Sequence, residues 1–312
     1  MLYDVPAPAK LNLFLHVVGR RPDGYHLLQT VFRFVGLADT LHFDTRRDGG
    51  IGRAAELAGV ACADDLTLRA AHALQQATGT RLGVQITLEK RIPTGGGLGG
   101  GSSDAASVLI ALNRLWNTGL TRAELMRLAL PLGADVPVFL FGQSAFGQGV
   151  GEDLTAVALP PAAYLIVQPD ASVPTADIFR SPDLTRDTES IKIADFPGHL
   201  NLRNDLAPVV YRRYPEILRA KVWLEKALAK AEVQENARQS AKHQIRLSGS
   251  GACLFAEFAD IEHAVLAEQE IIATMRVSDC IYFAKDEMQV RFRSVRASPG
   301  LVEHPLRHWI AD

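Results

Sequence analysis

Six glycines fall within the seven residues from Gly95 to Gly101, and Ser102 and Ser103 follow at the start of an apolar stretch. Glycine lets successive backbone N–H groups turn toward one point and lets a ligand approach the main chain closely. The two serines sit where a helix begins, so unpaired N–H groups and the positive end of the helix dipole face the same spot. That geometry asks for an anion, above all a phosphate. The alternative is a flexible linker, but a linker is not normally pinned between a strand and an Ala- and Leu-rich helix. A Walker A loop needs lysine after its last glycine; Gly101-Ser102 stands there, and Lys90 lies on the other side. Gly95, Gly97 and Gly100 satisfy G-x-G-x-x-G, yet so many glycines nearly force that match. A dinucleotide fold also wants a strand soon after the helix, ending in an acid about 20 residues on. Here a second helix follows instead.

The elements that must position this loop follow from periodicity. Lys10 to Val18 alternates as a strand, Gly19 to Gly24 reads as a turn, and Tyr25 to Val35 and Thr40 to Asp44 read as further strands. Asp64 to Thr78 is helical, stopped by Gly79, and Gly83 to Lys90 is a strand leading into the glycine loop. The helix after the loop runs through Trp116 to a stop at Gly119, and Thr121 to Leu130 begins another. The domain boundary falls near Leu159-Pro160-Pro161, dividing the chain into residues 1–159 and 160–312. In the second half come a strand at Tyr164 to Gln168 and a polar loop from Ser181 to Pro197. A long helix from Asp205 to Ala231 follows, with Pro208 near its start and Pro215 suggesting a kink or a break, and with Val222, Leu224 and Leu228 facing the core. Strand, Leu247-Ser-Gly-Ser-Gly251, strand and helix come next. The irregular order of strands and helices places the chain in the α+β class.

The chain has 312 residues, 47% hydrophobic and 22% charged, enough to bury the cores of two domains. Lys and Arg number 33 against 35 Asp and Glu, which argues against the uniformly basic surface of a nucleic-acid binder. No apolar run approaches the ~20 residues that span a bilayer, and no basic segment precedes an apolar one at the N-terminus. Cys62, Cys253 and Cys280 are widely spaced and form no CxxC. These features describe a soluble, reduced, cytoplasmic protein without membrane or nucleic-acid partners. His304 and His308 have i, i+4 spacing, but Pro305 between them favours a solvated tail over a metal site, so no metal ligand is assigned. Ile281–Phe283 and Val290–Val295 alternate enough to form extra strands.

Pro93 to Ser103 resembles, in an extra-glycine version, the P-x-x-x-G-L-G-S-S loop of the GHMP kinase superfamily. Pro8-Ala-Lys-Leu-Asn-Leu13 resembles the family's N-terminal motif, and Leu247 to Ala252 its C-terminal glycine motif, with Ser248, Gly249, Ser250 and Gly251. Arg21 to His26, Gly133 to Val138, Pro174-Thr175 with Ile178-Phe179, and Asn204 to Leu206 resemble a narrower group within it. The resemblance implies a ribosomal protein S5 domain 2-like N-terminal domain, a ferredoxin-like C-terminal domain and an active site between them. It implies transfer of phosphate from ATP, with Mg2+, to a tertiary alcohol on a small cytidyl diphosphate, by a monomer or weak homodimer. Against the family pattern, the 226–244 segment and the tail beyond Arg276 are long.

The resemblance also assigns roles. ATP would lie against Pro93, Thr94, Gly95, Gly96, Gly97, Leu98, Gly99, Gly100, Gly101, Ser102 and Ser103. Asp65 stands where the family has an asparagine near the adenosine; ionised Asp cannot donate a hydrogen bond, but it can cap the helix or accept from an amino group. Asp135 is the expected base and Lys10 its partner, with Asn12 two residues along on the same strand face. A nearby ammonium weakens a carboxylate as a base while fixing its charge and orientation, and it can stabilise an alkoxide as it forms. Taken alone, Asp135 would be a cap before Val136-Pro137 and Lys10 a solvated strand-end lysine. Tyr25 and Phe179 would stack on the cytosine, His26 would hydrogen-bond its edge through side chain or backbone, and Thr175 would complete that subsite. Two rivals remain: another small-molecule kinase of the superfamily, needing no base pocket, and a non-enzymatic nucleotide- or RNA-binding module.

Overall fold

The computed structural model describes residues 1–57, 60–194, 202–234, 244–278 and 290–312. The expected strand at Ile281–Phe283 lies outside them, as do residues 235–243 of the long 226–244 segment. Two long strands, β1 (Leu2–Arg20) and β2 (His26–Arg46), form an antiparallel hairpin. The two strands read from Tyr25 to Asp44 are thus one, carried across Gly36 without a break. Gly36 is kept clear by Pro299, whose ring would lie 2.9 Å from a Cβ placed there. Around the hairpin are β3 (Ile51–Arg53), α1 (Leu66–Thr78), β4 (Gly83–Glu89), α2 (Gly100–Leu115), α3 (Arg122–Ala129), α4 (Val136–Phe141), β5 (Ala145–Gln148) and β6 (Asp153–Ala156).

The second half contributes β7 (Ala163–Pro169), α5 (Thr175–Phe179), α6 (Ala207–Arg213), α7 (Pro215–Gln234), β8 (Arg246–Leu247), β9 (Leu254–Phe258), α8 (Ile261–Ser278) and β10 (Phe292–Leu301). Among the described residues the sheet runs β3-β4-β2-β10-β7-β9-β8. β10 joins its halves, pairing with β7 over most of its length and with Val35 and Phe34 of β2 at its end. The architecture is mixed α/β with a two-part layout.

Local rules explain several boundaries. Thr121 and Glu124 form a reciprocal capping box at the start of α3. α2 ends at Leu115 with Trp116 as its cap, before the expected stop at Gly119. The expected 205–231 helix is two, because Pro215 cannot continue the α6 hydrogen bonds and instead starts α7. On α7, Ile217, Leu224 and Leu228 are buried, but Leu218 and Val222 are exposed, so the expected core face is rotated away from Val222.

Among the described residues, three apolar clusters hold the fold together. One lies under α1–α4, one under α6–α8, and a third joins Ala9, Leu11, Leu13 and Phe14 of β1 to Tyr164, Ile166 and Phe255 of the second half. β1 alternation therefore turns Ala9, Leu11 and Leu13 to the shared core and Lys10 and Asn12 to the opposite face. The C-terminal tail is not solvated as expected. Leu306 and Ile310 join the first cluster, and His304 is 1% exposed, edge-on to Phe34 and Phe139. Of the two histidines, His308 meets the solvated expectation, beside Glu303.

Candidate active site

The glycine loop is held from two sides. Lys10 N donates to Leu98 O at 3.0 Å from β1. From the other side Ala252 N and Cys253 N donate to Gly95 O and Gly96 O, and Ser248 Oγ donates to Gly97 O. Gly97 has φ +73°, and a Cβ there would lie 2.1 Å from Ser248 O. Both the backbone conformation and the close approach of the second glycine motif therefore require glycine. Gly99 caps α2, whose first turn closes with Ser103 N donating to Gly99 O at 2.8 Å. The N–H groups of Gly100, Gly101 and Ser102 precede that bond and mark the anion-binding end of a sixteen-residue helix.

This loop forms one wall of a cavity of about 1040 Å³. On its floor Lys10, 3% exposed, places Nζ 2.6 Å from Asn12 Oδ1, 3.2 Å from Gly97 O and 3.2 Å from Asp135 Oδ2. The ammonium also stands 5.6 Å over the Phe32 ring. Asn12 is oriented in turn by its Nδ2, which donates to Thr30 Oγ1 at 2.9 Å. Asp135 precedes α4, but its side chain makes no capping bond. Its carboxylate, 38% exposed, is thus held by Lys10 and open to the cavity.

The far end is built by the hairpin turn and α5. Tyr25 stands 63% exposed at the turn, after Gly24 at φ +93°. The His26 and Phe179 rings lie 5.1 Å apart at 36°. Arg186 Nε donates to His26 Nε2 at 3.0 Å, while the same guanidinium donates to the carbonyls of Phe179, Ser181 and Leu184. Burial, then the charges of Arg186 and Arg20, holds the His26 imidazole below its ordinary value. Thr175 and Ser250 share a hydroxyl–hydroxyl bond of 2.7 Å across the mouth.

Lys10, Asn12, Tyr25, His26, Asp65, Pro93–Ser102, Asp135, Thr175, Phe179, Gly249 and Ser250 all line this one cavity. Ser103, Ser248 and Gly251 do not. Ser103 is fully buried and donates to Pro8 O, so it fastens α2 to β1 rather than facing a ligand. Asp65 caps α1 through Thr67 N and pairs with Arg53 at 2.7 Å. Burial pushes its carboxyl up, but the Thr67 and Arg53 bonds outweigh this and lower it.

Sequence reasoning passed over Lys90. Its Nζ folds back beside the start of α2, 2.5 Å from Asp39 Oδ2 and 2.7 Å from Asp104 Oδ2. Burial raises the Asp104 carboxyl to about 7 against the pull of Lys90. Lys90 itself is held above its ordinary value by the two carboxylates despite burial. The only available signal was a lysine close before a phosphate loop. Arg186 lies in an irregular loop with no periodic signal at all.

Residues 65–143 match the family model for the GHMP kinases N terminal domain. The chain is 67% identical over 315 residues to the 4-diphosphocytidyl-2-C-methyl-D-erythritol kinase of Bordetella parapertussis, covering 100% of this chain and 99% of that protein. It is 57% identical over 306 residues to the enzyme of the same name from Azoarcus sp., covering 98% and 96%. A crystal structure of 4-(cytidine 5'-diphospho)-2C-methyl-D-erythritol kinase superposes with a TM-score of 0.70 at 34% identity, over 95% of this chain and 98% of that one.

Proposed function

Because the chain belongs to the 4-diphosphocytidyl-2-C-methyl-D-erythritol kinases of the GHMP kinase family, we propose a working division of its cavity between ATP and acceptor. The enzyme transfers the γ-phosphoryl group of ATP to the 2-hydroxyl of 4-diphosphocytidyl-2-C-methyl-D-erythritol, a step of non-mevalonate isoprenoid synthesis. In our reading the triphosphate lies on the N–H groups that open α2, the adenosine points toward Asp65, and the cytosine lies between Tyr25 and Phe179 at the other end.

The observation that carries this reading is the Lys10–Asp135 pair on the cavity floor, between the glycine loop and the aromatic end. Asp135 takes the hydroxyl proton as the oxygen attacks the γ-phosphorus, and the bond to the β–γ bridging oxygen breaks to release ADP. Lys10 holds Asp135 in place and stabilises negative charge on the entering oxygen and the phosphoryl group. Asn12 and Gly97 O fix the direction of the ammonium.

Among the described residues no cluster of three or more His, Cys, Asp or Glu could cage a metal ion. That fits Mg2+ carried on the ATP phosphates, which needs only one or two protein oxygens. Ser102, lining the cavity at the first turn of α2, would supply a hydroxyl. When bound, the ion neutralises phosphate charge. We read residues 1–159 as the ribosomal protein S5 domain 2-like unit and 160–312 as the ferredoxin-like unit of a cytoplasmic monomer or weak homodimer without nucleic-acid partners. The test is incubation of purified protein with Mg-ATP and the cytidyl substrate, followed by phosphorus NMR. ADP and one new phosphomonoester are expected in equal amounts. Absence of turnover, or preference for an alcohol lacking the cytidyl group, would overturn the reading.

A further inference from the structure

The ring nitrogens of His26 are not equivalent. A guanidinium has donors and no acceptor, so Arg186 Nε–H at 3.0 Å requires a lone pair on His26 Nε2. A ring whose Nε2 accepts that bond is neutral and carries a single proton, and burial with the charges of Arg186 and Arg20 favours this form. That proton must then reside on Nδ1, because the bond at one ring nitrogen decides the state of the other. Arg186 is itself immobilised by the carbonyls of Phe179, Ser181 and Leu184, which accept from three of its four other N–H donors. Among the described residues no group hydrogen-bonds Nδ1, and His26 lines the cavity.

We propose that Arg186 is a positioning residue that sets base specificity by fixing His26 as the Nδ1–H tautomer, so that the cavity presents a hydrogen-bond donor to N3 of the pyrimidine. This rests on the reading of the Tyr25–Phe179 end as the base subsite. Cytosine N3 is an acceptor and completes the bond. Uracil carries a hydrogen on N3, so donor would face donor and both would be left unpaired in a desolvated site. Arg186 touches no substrate in this scheme. It acts through the imidazole and, by binding Phe179 O, keeps the tautomer and the stacking ring in register.

The test has two readouts. Protein labelled with 15N-histidine, with His26 assigned by its absence in His26→Gln, is expected to show a protonated Nδ1 and an unprotonated Nε2 in the free enzyme. Protonation at Nε2 in the wild type would overturn the proposal without any variant having to fold. Next, kcat/KM is measured for the cytidyl substrate and its uridyl analogue in wild type, Arg186→Met and Arg186→Lys. We expect the cytidyl-over-uridyl ratio to fall about 10-fold or more in Arg186→Met, with KM for ATP unchanged, and to recover in part in Arg186→Lys, which keeps a cationic donor. Equal loss on both acceptors, with the ratio preserved, would show that Arg186 merely braces the loop and would overturn the proposal. Failure of the subsite reading looks different: wild type would not discriminate the two bases, and CMP would leave the His26 resonances unmoved.

Discussion

Asp135 stands immediately before a helix without capping it through its side chain. Its carboxylate is committed to Lys10 and to the cavity instead. Asp135→Asn should therefore leave α4 intact, since Asn is equally acceptable at a helix start. It should lower kcat by at least ~10²-fold, the range of a lost general base, with little change in ATP affinity. Steady-state kinetics with calorimetric ATP titration would check this, and near-normal turnover would reduce Asp135 to a structural residue. Phe179 is half-buried, touching the second core on one side and the cavity on the other. Losing one stacking face is worth roughly 1–3 kcal/mol, so Phe179→Ala should raise KM for the cytidyl substrate about 5- to 150-fold and leave KM for ATP nearly unchanged. A large drop in Tm with both substrates disturbed together would instead make it a core residue.

At the scale of elements, the phosphate loop is one half of a clasp. Its carbonyls accept from the Leu247–Cys253 segment, and no side chain fits at Gly97, where Ser248 O stands 2.1 Å from a Cβ. Gly97→Val places a β-branched residue at positive φ, where even an unbranched L-residue costs about 1–2 kcal/mol, and adds a backbone collision. ATP affinity should fall at least ~10-fold in calorimetry, while circular dichroism shows the helices retained. An unchanged Kd on folded protein would place the phosphates elsewhere.

Across the whole molecule, the C-terminal tail returns to the first half and closes the end of α4 opposite Asp135. Arg307 donates to Phe141 O, His304 N to Gly142 O and Arg122 to Leu140 O, satisfying carbonyls that a short helix leaves unpaired. His304 seals this contact as a neutral ring. Burial, and secondarily Arg122, pushes its imidazole down to about 3 from 6.5. The unfolded chain takes up the proton near pH 6.5, whereas the fold resists it until about pH 3. The stabilisation from this group is thus complete above about pH 6.5 and is lost at about 1.4 kcal/mol per pH unit as pH falls between those values. Urea unfolding at pH 7, 5.5 and 4.5 should show a shallower acid-side loss for His304→Gln than for wild type. Parallel slopes would mean that the ring is not held neutral by burial.

The anion loop, the helix starts at Asp65 and Thr121 and the break at Pro215 were readable because each is contiguous: backbone freedom, capping and a missing N–H act within a few residues. The contiguous motifs around Lys10 and Asp135 carried the family resemblance, and through it their roles. Their meeting at 3.2 Å across 125 positions is a product of packing. Periodicity likewise could not say that Lys90 turns back to α2, that Ser103 faces β1, or that Val222 faces outward. Nor could it bring Arg186 to His26 across 160 residues. Pro305 made the tail look solvated because local sequence reports chain stiffness and polarity, whereas burial of His304 depends on a surface assembled from β2 and α4. The sequence by itself determined which chemical groups are present and where the backbone can bend; only the tertiary structure decided which of them share a desolvated cavity, because that depends on contacts between residues far apart in the chain.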